Sequence, residues 1–202
     1  MASVLAGASF QTHSAGWLFL IAVAAFCGME SIQFMRQRAW RTGRTLAGPK
    51  SFWAAVFAWA VIATLGIHRA PRSIPAASLG HGPTPFLVGM CLLVAGYALR
   101  WWSFATLGSR FTFNVRTTPD QPITTTGPYR LVRHPGYTGG LMAVSGIGVV
   151  YSNWVGLASI ALPALLVTLW RIRIEEAALT TAAGPAYKAY ATSHKRLIPL
   201  IW

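Results

Sequence analysis

Four carboxylates are all the acid this chain has, Glu30, Asp120, Glu175 and Glu176, so any carboxylate chemistry must draw on them. Glu175 and Glu176 stand together in "WRIRIEEAAL", four and three residues after Arg171 and Arg173. On a helix those spacings place Arg171 with Glu175 on one face and Arg173 with Glu176 on another. Two ordinary intrahelical ion pairs are one reading, and a polar ligand site is the other. A second polar concentration, "GPYRLVRHPGYTGG" at 127–140, lies directly ahead of the apolar run "LMAVSGIGVV". Pro135 fixes its own backbone and biases His134 away from helix, so the imidazole projects from a loop. Gly136, Gly139 and Gly140 allow close approach of a ligand or a neighbouring helix. Either this is a helix start with interfacial Tyr and Arg anchors, or the loop roofs a pocket together with the Glu175 segment. Asp120, in "TTPDQP", reads as a turn residue. Glu30 lies in an apolar segment, where a charge is costly unless it meets an arginine or reaches the interface.

The elements that must position these residues are membrane helices. The chain is 54% hydrophobic and 10% charged, about half the charge usual for a soluble protein. Five segments are apolar enough to enter a bilayer: 15–35, 52–67, 86–107, 137–151 and 154–172. The second and fourth are short against the roughly 17 to 25 residues a span needs. Only Ser152 and Asn153 separate the last two, which predicts a tight helical hairpin. The connector 68–85, rich in Pro and Gly, is expected to be extended. The expected fold is an all-α integral membrane protein of about five transmembrane helices. It forms one membrane domain over 1–202, with a three-helix part (1–107) and a region of loop, hairpin and tail (108–202) that carries the chemistry.

Charge sets the orientation. The net charge is +13, but its clustering between apolar runs points to an anionic membrane surface and away from nucleic acid. Arg36, Arg38, Arg41, Arg44 and Lys50 fall between helices 1 and 2, and Arg110, Arg116, Arg130 and Arg133 between helices 3 and 4. Arg173, Lys188, Lys195 and Arg196 follow helix 5, whereas the opposite side has only Arg69 and Arg72. The positive-inside rule then puts the N-terminus outside and the C-terminus in the cytoplasm. No Lys or Arg precedes Arg36, so the N-terminus is expected to lack a signal peptide's basic flank. Cys27 and Cys91 lie in apolar segments without metal spacing and read as packing residues. The histidines His13, His68, His81 and His194 have no metal spacing either. The tail from Tyr187 to Trp202 reads as an interfacial anchoring helix, with closure of a ligand cavity as its other reading.

"GPYRLVRHPGYTGG", then "RIRIEEAAL" and "GPAYKAYATSHKRLIPLIW", in that order around a helical hairpin, resemble the isoprenylcysteine carboxyl methyltransferase family of integral-membrane methyltransferases over residues 105–202. The resemblance implies S-adenosyl-L-methionine as cofactor, enclosed by the loop and the post-membrane helix. It implies cofactor contacts at Tyr129, His134, Pro135, Tyr137 and Glu175, with looser matches at Gln121, Pro122, Ile123 and Thr124. Arg171 corresponds to the arginine that engages the reacting end of the substrate. The implied partners are the lipid bilayer and a lipophilic small-molecule or prenylated substrate.

Two other outcomes stay open within the resemblance, methylation of a phospholipid amine or of another lipophilic acid. Membrane sterol reductases, which use NADPH, share a related C-terminal region with the pattern HPNYxGD. Gly136 and Gly140 stand where their asparagine and aspartate would be. A transporter predicts charges along several helices, whereas only Glu30 and Arg100 lie within these, and Arg100 can snorkel.

Overall fold

The structure is a computed structural model and describes residues 13–39, 44–45, 49–80, 82–108, 116–117, 123–199 and 201–202. Gln121, Pro122 and Asp120 fall outside the described residues. Five helices account for nearly all of it: α1 (His13–Ala39), α2 (Pro49–Ser73), α3 (Thr84–Leu107), α4 (Pro135–Val150) and α5 (Trp154–Ser193). A two-residue antiparallel ladder, β1 (Arg44–Thr45) with β2 (Arg116–Thr117), joins the α1–α2 and α3–α4 connections. The protein is thus an all-α integral membrane protein. Large apolar side chains such as Trp17, Ile21, Leu65, Leu87, Leu162 and Leu166 are exposed on the helix faces, as lipid contact requires.

Length and composition suit α1, α3 and α5 for crossing a membrane among the described residues. The 16-residue α4 rises about 24 Å, less than the roughly 30 Å hydrocarbon core. α2 runs on to Ser73, so residues 68–73 of the expected extended connector are helical. Pro71 is accommodated inside that helix, and the connector proper is reduced to a 3-10 turn at Pro75–Ala77 and the residues after it.

Glycine spacing determines how the helices pair. Gly89 and Gly96 on α3, and Gly139 and Gly146 on α4, are each seven residues apart, about two turns, and so share a face. An added Cβ at Gly96 would lie 2.5 Å from the Gly139 carbonyl oxygen, and one at Gly146 would lie 2.5 Å from the Leu93 nitrogen. The two backbones therefore touch, and where lipid is as apolar as any side chain such packing is the main attraction between helices. α3 and α4 form the largest helix interface of the fold, and α2 packs along α5. Across the latter, Trp59 Nε1 donates to the Ile160 carbonyl at 2.9 Å, near Pro163, which interrupts the α5 ladder. Leu93, Ala143, Val150, Phe19 and Tyr151 form the main buried cluster.

The expected hairpin is present. Asn153 caps α5, its Oδ1 accepting from the backbone N–H groups of Val155 (3.0 Å) and Gly156 (3.1 Å). Its Nδ2 donates to the Ile74 carbonyl at 3.0 Å, so one buried amide fixes both the turn and the end of α2. Cys27 and Cys91 are free and exposed on their helices, which places them on the outer face instead of in packing positions.

The tail differs from the expected anchoring helix. α5 continues well past its apolar stretch, 154–170, then breaks at Gly184 (φ 49°, ψ −122°) ahead of Pro185. This backbone conformation strains any residue with a Cβ. The short helical segment beyond ends at Ser193, and the chain turns back toward the His-Pro loop.

Candidate active site

The loop ahead of α4 is held by the tail. Arg133 N donates to the Lys195 carbonyl (2.8 Å) and His134 N to the Arg196 carbonyl (3.0 Å). Thr138 Oγ1 donates to the Leu197 carbonyl at 2.8 Å, and the buried Tyr190 hydroxyl donates to the Tyr129 carbonyl at 2.7 Å. Non-helical backbone at a membrane boundary is tolerated where protein satisfies it. The returning tail supplies those partners.

From below, Arg100 of α3 clamps the same loop. Its Nε and Nη2 donate to the two carboxylate oxygens of Glu30 at 2.5 and 2.8 Å, and its Nη1 donates to the Gly136 carbonyl at 2.8 Å. Of the two readings of Glu30, the paired one holds. One guanidinium thus links α1, α3 and the start of α4 and neutralises the only acid in α1.

The two adjacent glutamates have different surroundings. Glu176 is enclosed by Arg133 Nη1 (2.8 Å), Arg196 Nη2 (3.0 Å) and His134 Nε2 (3.2 Å). Burial opposes its charge, but the hydrogen bonds from His134 and Arg196 and the nearby Arg133 outweigh that, holding its carboxyl down at about 2. It meets these three instead of Arg173, so the intrahelical Arg173–Glu176 pair does not form. Arg196 is correspondingly held above its usual range, chiefly by its hydrogen bond to Glu176. Burial raises the phenols of Tyr129, Tyr187 and Tyr190, the last to about 12. All three stay neutral, and the Tyr190 hydroxyl is the one that donates to the loop.

Glu175 faces the other way. Its Oε2 accepts from the Tyr137 hydroxyl at 2.8 Å, and the same hydroxyl accepts from Arg171 Nε at 3.1 Å. Tyr137, from the first turn of α4, thus bridges an acid and a base one helical turn apart on α5. Arg171 is buried, 7% exposed. Among the described residues no hydrogen bond reaches Glu175 Oε1, and this half-buried carboxylate retains most of its accepting capacity.

The positions singled out from sequence are therefore distributed as follows. Tyr137, Glu175 and Arg171 form one connected group. His134 lies beside them, 5% exposed, with its ring 5.7 Å from that of Tyr137, but its Nε2 is turned to Glu176. Pro135 is fully buried as the first residue of α4, and Tyr129 is buried in the preceding 3-10 turn Gly127–Arg130. Ile123 and Thr124 are half-buried in irregular chain before that turn. Sequence reasoning missed Glu176 as the centre of the site, and Arg133 and Arg196 as its partners. The excess of arginine around a single acid pair was the available signal.

Such an arrangement defines a helical membrane protein with a polar, charge-paired site where α4 begins and α5 runs past its apolar stretch. Residues 84–184, half of the chain, match the sequence model of the phospholipid methyltransferase family. A probable protein-S-isoprenylcysteine O-methyltransferase of Oryza sativa subsp. indica is 31% identical over 121 residues, covering 56% of this chain and 61% of that protein. Protein-S-isoprenylcysteine O-methyltransferase A of Arabidopsis thaliana is 30% identical over 115 residues, covering 56% and 58%. A solved eukaryotic intramembrane Ras methyltransferase, ICMT, superposes with a TM-score of 0.62 at 25% identity, covering 77% of this chain and 54% of that one. The chain belongs to the phospholipid methyltransferase family. It spans less than two thirds of the length of each of these relatives.

Proposed function

We propose that the protein is a membrane methyltransferase that uses S-adenosyl-L-methionine to methylate a lipophilic acceptor, a carboxylate of the prenylated-cysteine kind. The observation that carries this is the Tyr137 hydroxyl bridging Glu175 and Arg171. It places one incompletely used anion and one buried cation in contact with a single phenol. The donor set suits the cofactor: Glu175 Oε1 can accept from its ammonium or ribose hydroxyls, while Tyr129, His134, Pro135 and Tyr137 supply aromatic and apolar walls. Ile123 and Thr124, with Gln121 and Pro122 beyond the described residues, would add backbone contacts.

When bound, S-adenosylmethionine supplies a methyl group made electrophilic by its sulfonium. Arg171 holds the acceptor. A guanidinium donates two parallel hydrogen bonds to a carboxylate, and its Nε is already anchored to Tyr137, which fixes the fork. A carboxylate attacks as it stands, so no side chain has to remove a proton. Orientation and exclusion of water are then the protein's main contributions. An amine acceptor would need a base, and Glu175 as the nearest carboxylate is committed through Oε2. The methyltransferase relatives named above favour the carboxylate acceptor and do not favour NADPH reduction.

In this reading the chain is one membrane domain, residues 108–202 being the catalytic region and 1–107 its scaffold. The clustered basic residues support an external N-terminus and a cytoplasmic site, which a soluble cofactor reaches from the water and a lipophilic acceptor from the bilayer. Calorimetric titration of the purified chain with S-adenosylhomocysteine and NADPH tests the class. Binding of NADPH alone would reverse it. Transfer of labelled methyl to a prenylcysteine as a base-labile ester tests the acceptor, and a base-stable product on a phospholipid amine would replace it.

A further inference from the structure

The loop and the returning tail line a half-open cavity of about 210 Å³, bordered by Arg133, Thr192, His194, Lys195, Arg196 and Trp202 among others. That is several times the roughly 30 Å³ share of one water molecule. Three of these residues are Lys or Arg, and Glu176 is the only side-chain carboxylate that pairs with any of them among the described residues. Arg133 is set against the buried Tyr187 hydroxyl as well as Glu176. Lys195 is exposed and makes no ion pair among the described residues.

Apolar side chains line this basic cavity at Ile201 and Trp202 and stand exposed on the adjoining loop and tail segments at Leu131 and Ile198. Ile201 is 73% exposed, Leu131 61%, Ile198 49% and Trp202 42%, and Trp202 also stacks on the Arg196 guanidinium at 5.1 Å. A solvated basic face would carry no such rim. A surface presented to the headgroup layer would, since the anion is met by Lys and Arg while Trp and aliphatic groups enter the acyl boundary.

We propose that this cavity seats the phosphate of an anionic phospholipid headgroup, with Leu131, Ile198, Ile201 and Trp202 buried among the surrounding acyl chains. The bound lipid would hold the tail against the His-Pro loop, whose backbone the tail satisfies through Lys195 and Arg196. The proposal rests on the membrane placement of the chain, and not on methyl transfer.

Native mass spectrometry of the full chain in neutral detergent tests it, with phosphatidylglycerol and phosphatidylcholine added at equal concentration. Phosphatidylglycerol should bind about tenfold more tightly, because it carries a net negative charge that the zwitterionic phosphatidylcholine lacks. Lys195→Glu should abolish that preference at unchanged thermal stability, and Ile201→Ser should weaken both lipids. Equal binding of the two lipids overturns the proposal, as does a preference that survives Lys195→Glu. Displacement of the lipid by equimolar inorganic phosphate would assign the cavity to a free anion and equally overturn it.

Discussion

Replacing Glu176 by glutamine separates the two adjacent acids. The change keeps size and one acceptor oxygen but removes the charge that Arg133, Arg196 and His134 share. Side-chain exposures are 13% for Glu176, 12% for Arg133 and 4% for His134, so most of this cluster is out of water, whereas Arg196 is 37% exposed. Breaking a fully buried pair costs about 3–5 kcal/mol because the remaining charge is uncompensated. Solvent at Arg196 and the retained amide oxygen reduce this to about 2 kcal/mol. The carboxyl's displacement from 4.5 to about 2 gives a similar figure, about 3 kcal/mol at 1.36 kcal/mol per unit before discounting for solvent. In a chain of this size such a loss lowers the melting temperature by about 4–8 °C.

Acidity gives a second readout of the same change. The folded carboxyl binds its proton less readily than the unfolded one, so its stabilisation is complete above about pH 4.5 and disappears as pH falls toward 2. Glu176→Gln should therefore melt lower than the parent at pH 7, and the gap should close between pH 4.5 and 2. Fluorescence-detected melting across that range is the assay. An unchanged melting temperature at pH 7, or a gap that persists at pH 2, would refute the assignment of Glu176 as the charge centre holding loop and tail together.

The remaining predictions address the neighbouring groups. Glu175→Gln should reduce S-adenosylhomocysteine affinity at least about tenfold, the loss of a charge-assisted hydrogen bond, while leaving the melting temperature close to the parent's; unchanged affinity removes Glu175 from the cofactor site. Arg171→Lys keeps the charge but not the fork, so calorimetry should show cofactor affinity retained while methyl transfer falls steeply. Gly96→Ala forces a Cβ to within 2.5 Å of α4 backbone and should cost about 1–3 kcal/mol in thermal melting. Arg100→Met leaves Glu30 charged and unpaired, and adding Glu30→Gln should restore part of the lost stability, because the orphaned charge does the harm; a double variant less stable than the single one would contradict this.

Periodicity and punctuation made the scaffold legible. Apolar runs gave five helices, "SN" gave the hairpin, and Gly139 beside an apolar run signalled close approach, although its partner Gly96 could not be chosen without the register between α3 and α4. Local rules failed where long-range contacts decide. The tail from Tyr187 reads as one interfacial helix because Tyr, Lys, His and Arg alternate with Leu, Ile and Trp, yet the helix ends at Ser193, and the segment after it finds its hydrogen bonds on a loop some sixty residues earlier. Likewise the acid and base spacing in "RIRIEE" fits intrahelical pairing. Arg133, His134 and Arg196 override it because they bring three donors to an acid that Arg173 could meet with only one side chain.

The same competition explains why two adjacent glutamates are useful. Consecutive helix positions point about 100° apart, so a single pair can face two sides of one wall. Glu176 collects the excess positive charge of loop and tail and fixes them; Glu175 is left with a phenol and an unused oxygen. A lone glutamate in so basic a chain would be captured by the nearest arginines, as Glu176 is. The arginines that lock the loop to the tail are thus satisfied by Glu176 first, and this leaves Glu175 Oε1 without a hydrogen bond among the described residues, as the proposed cationic cofactor requires in a protein of net charge +13.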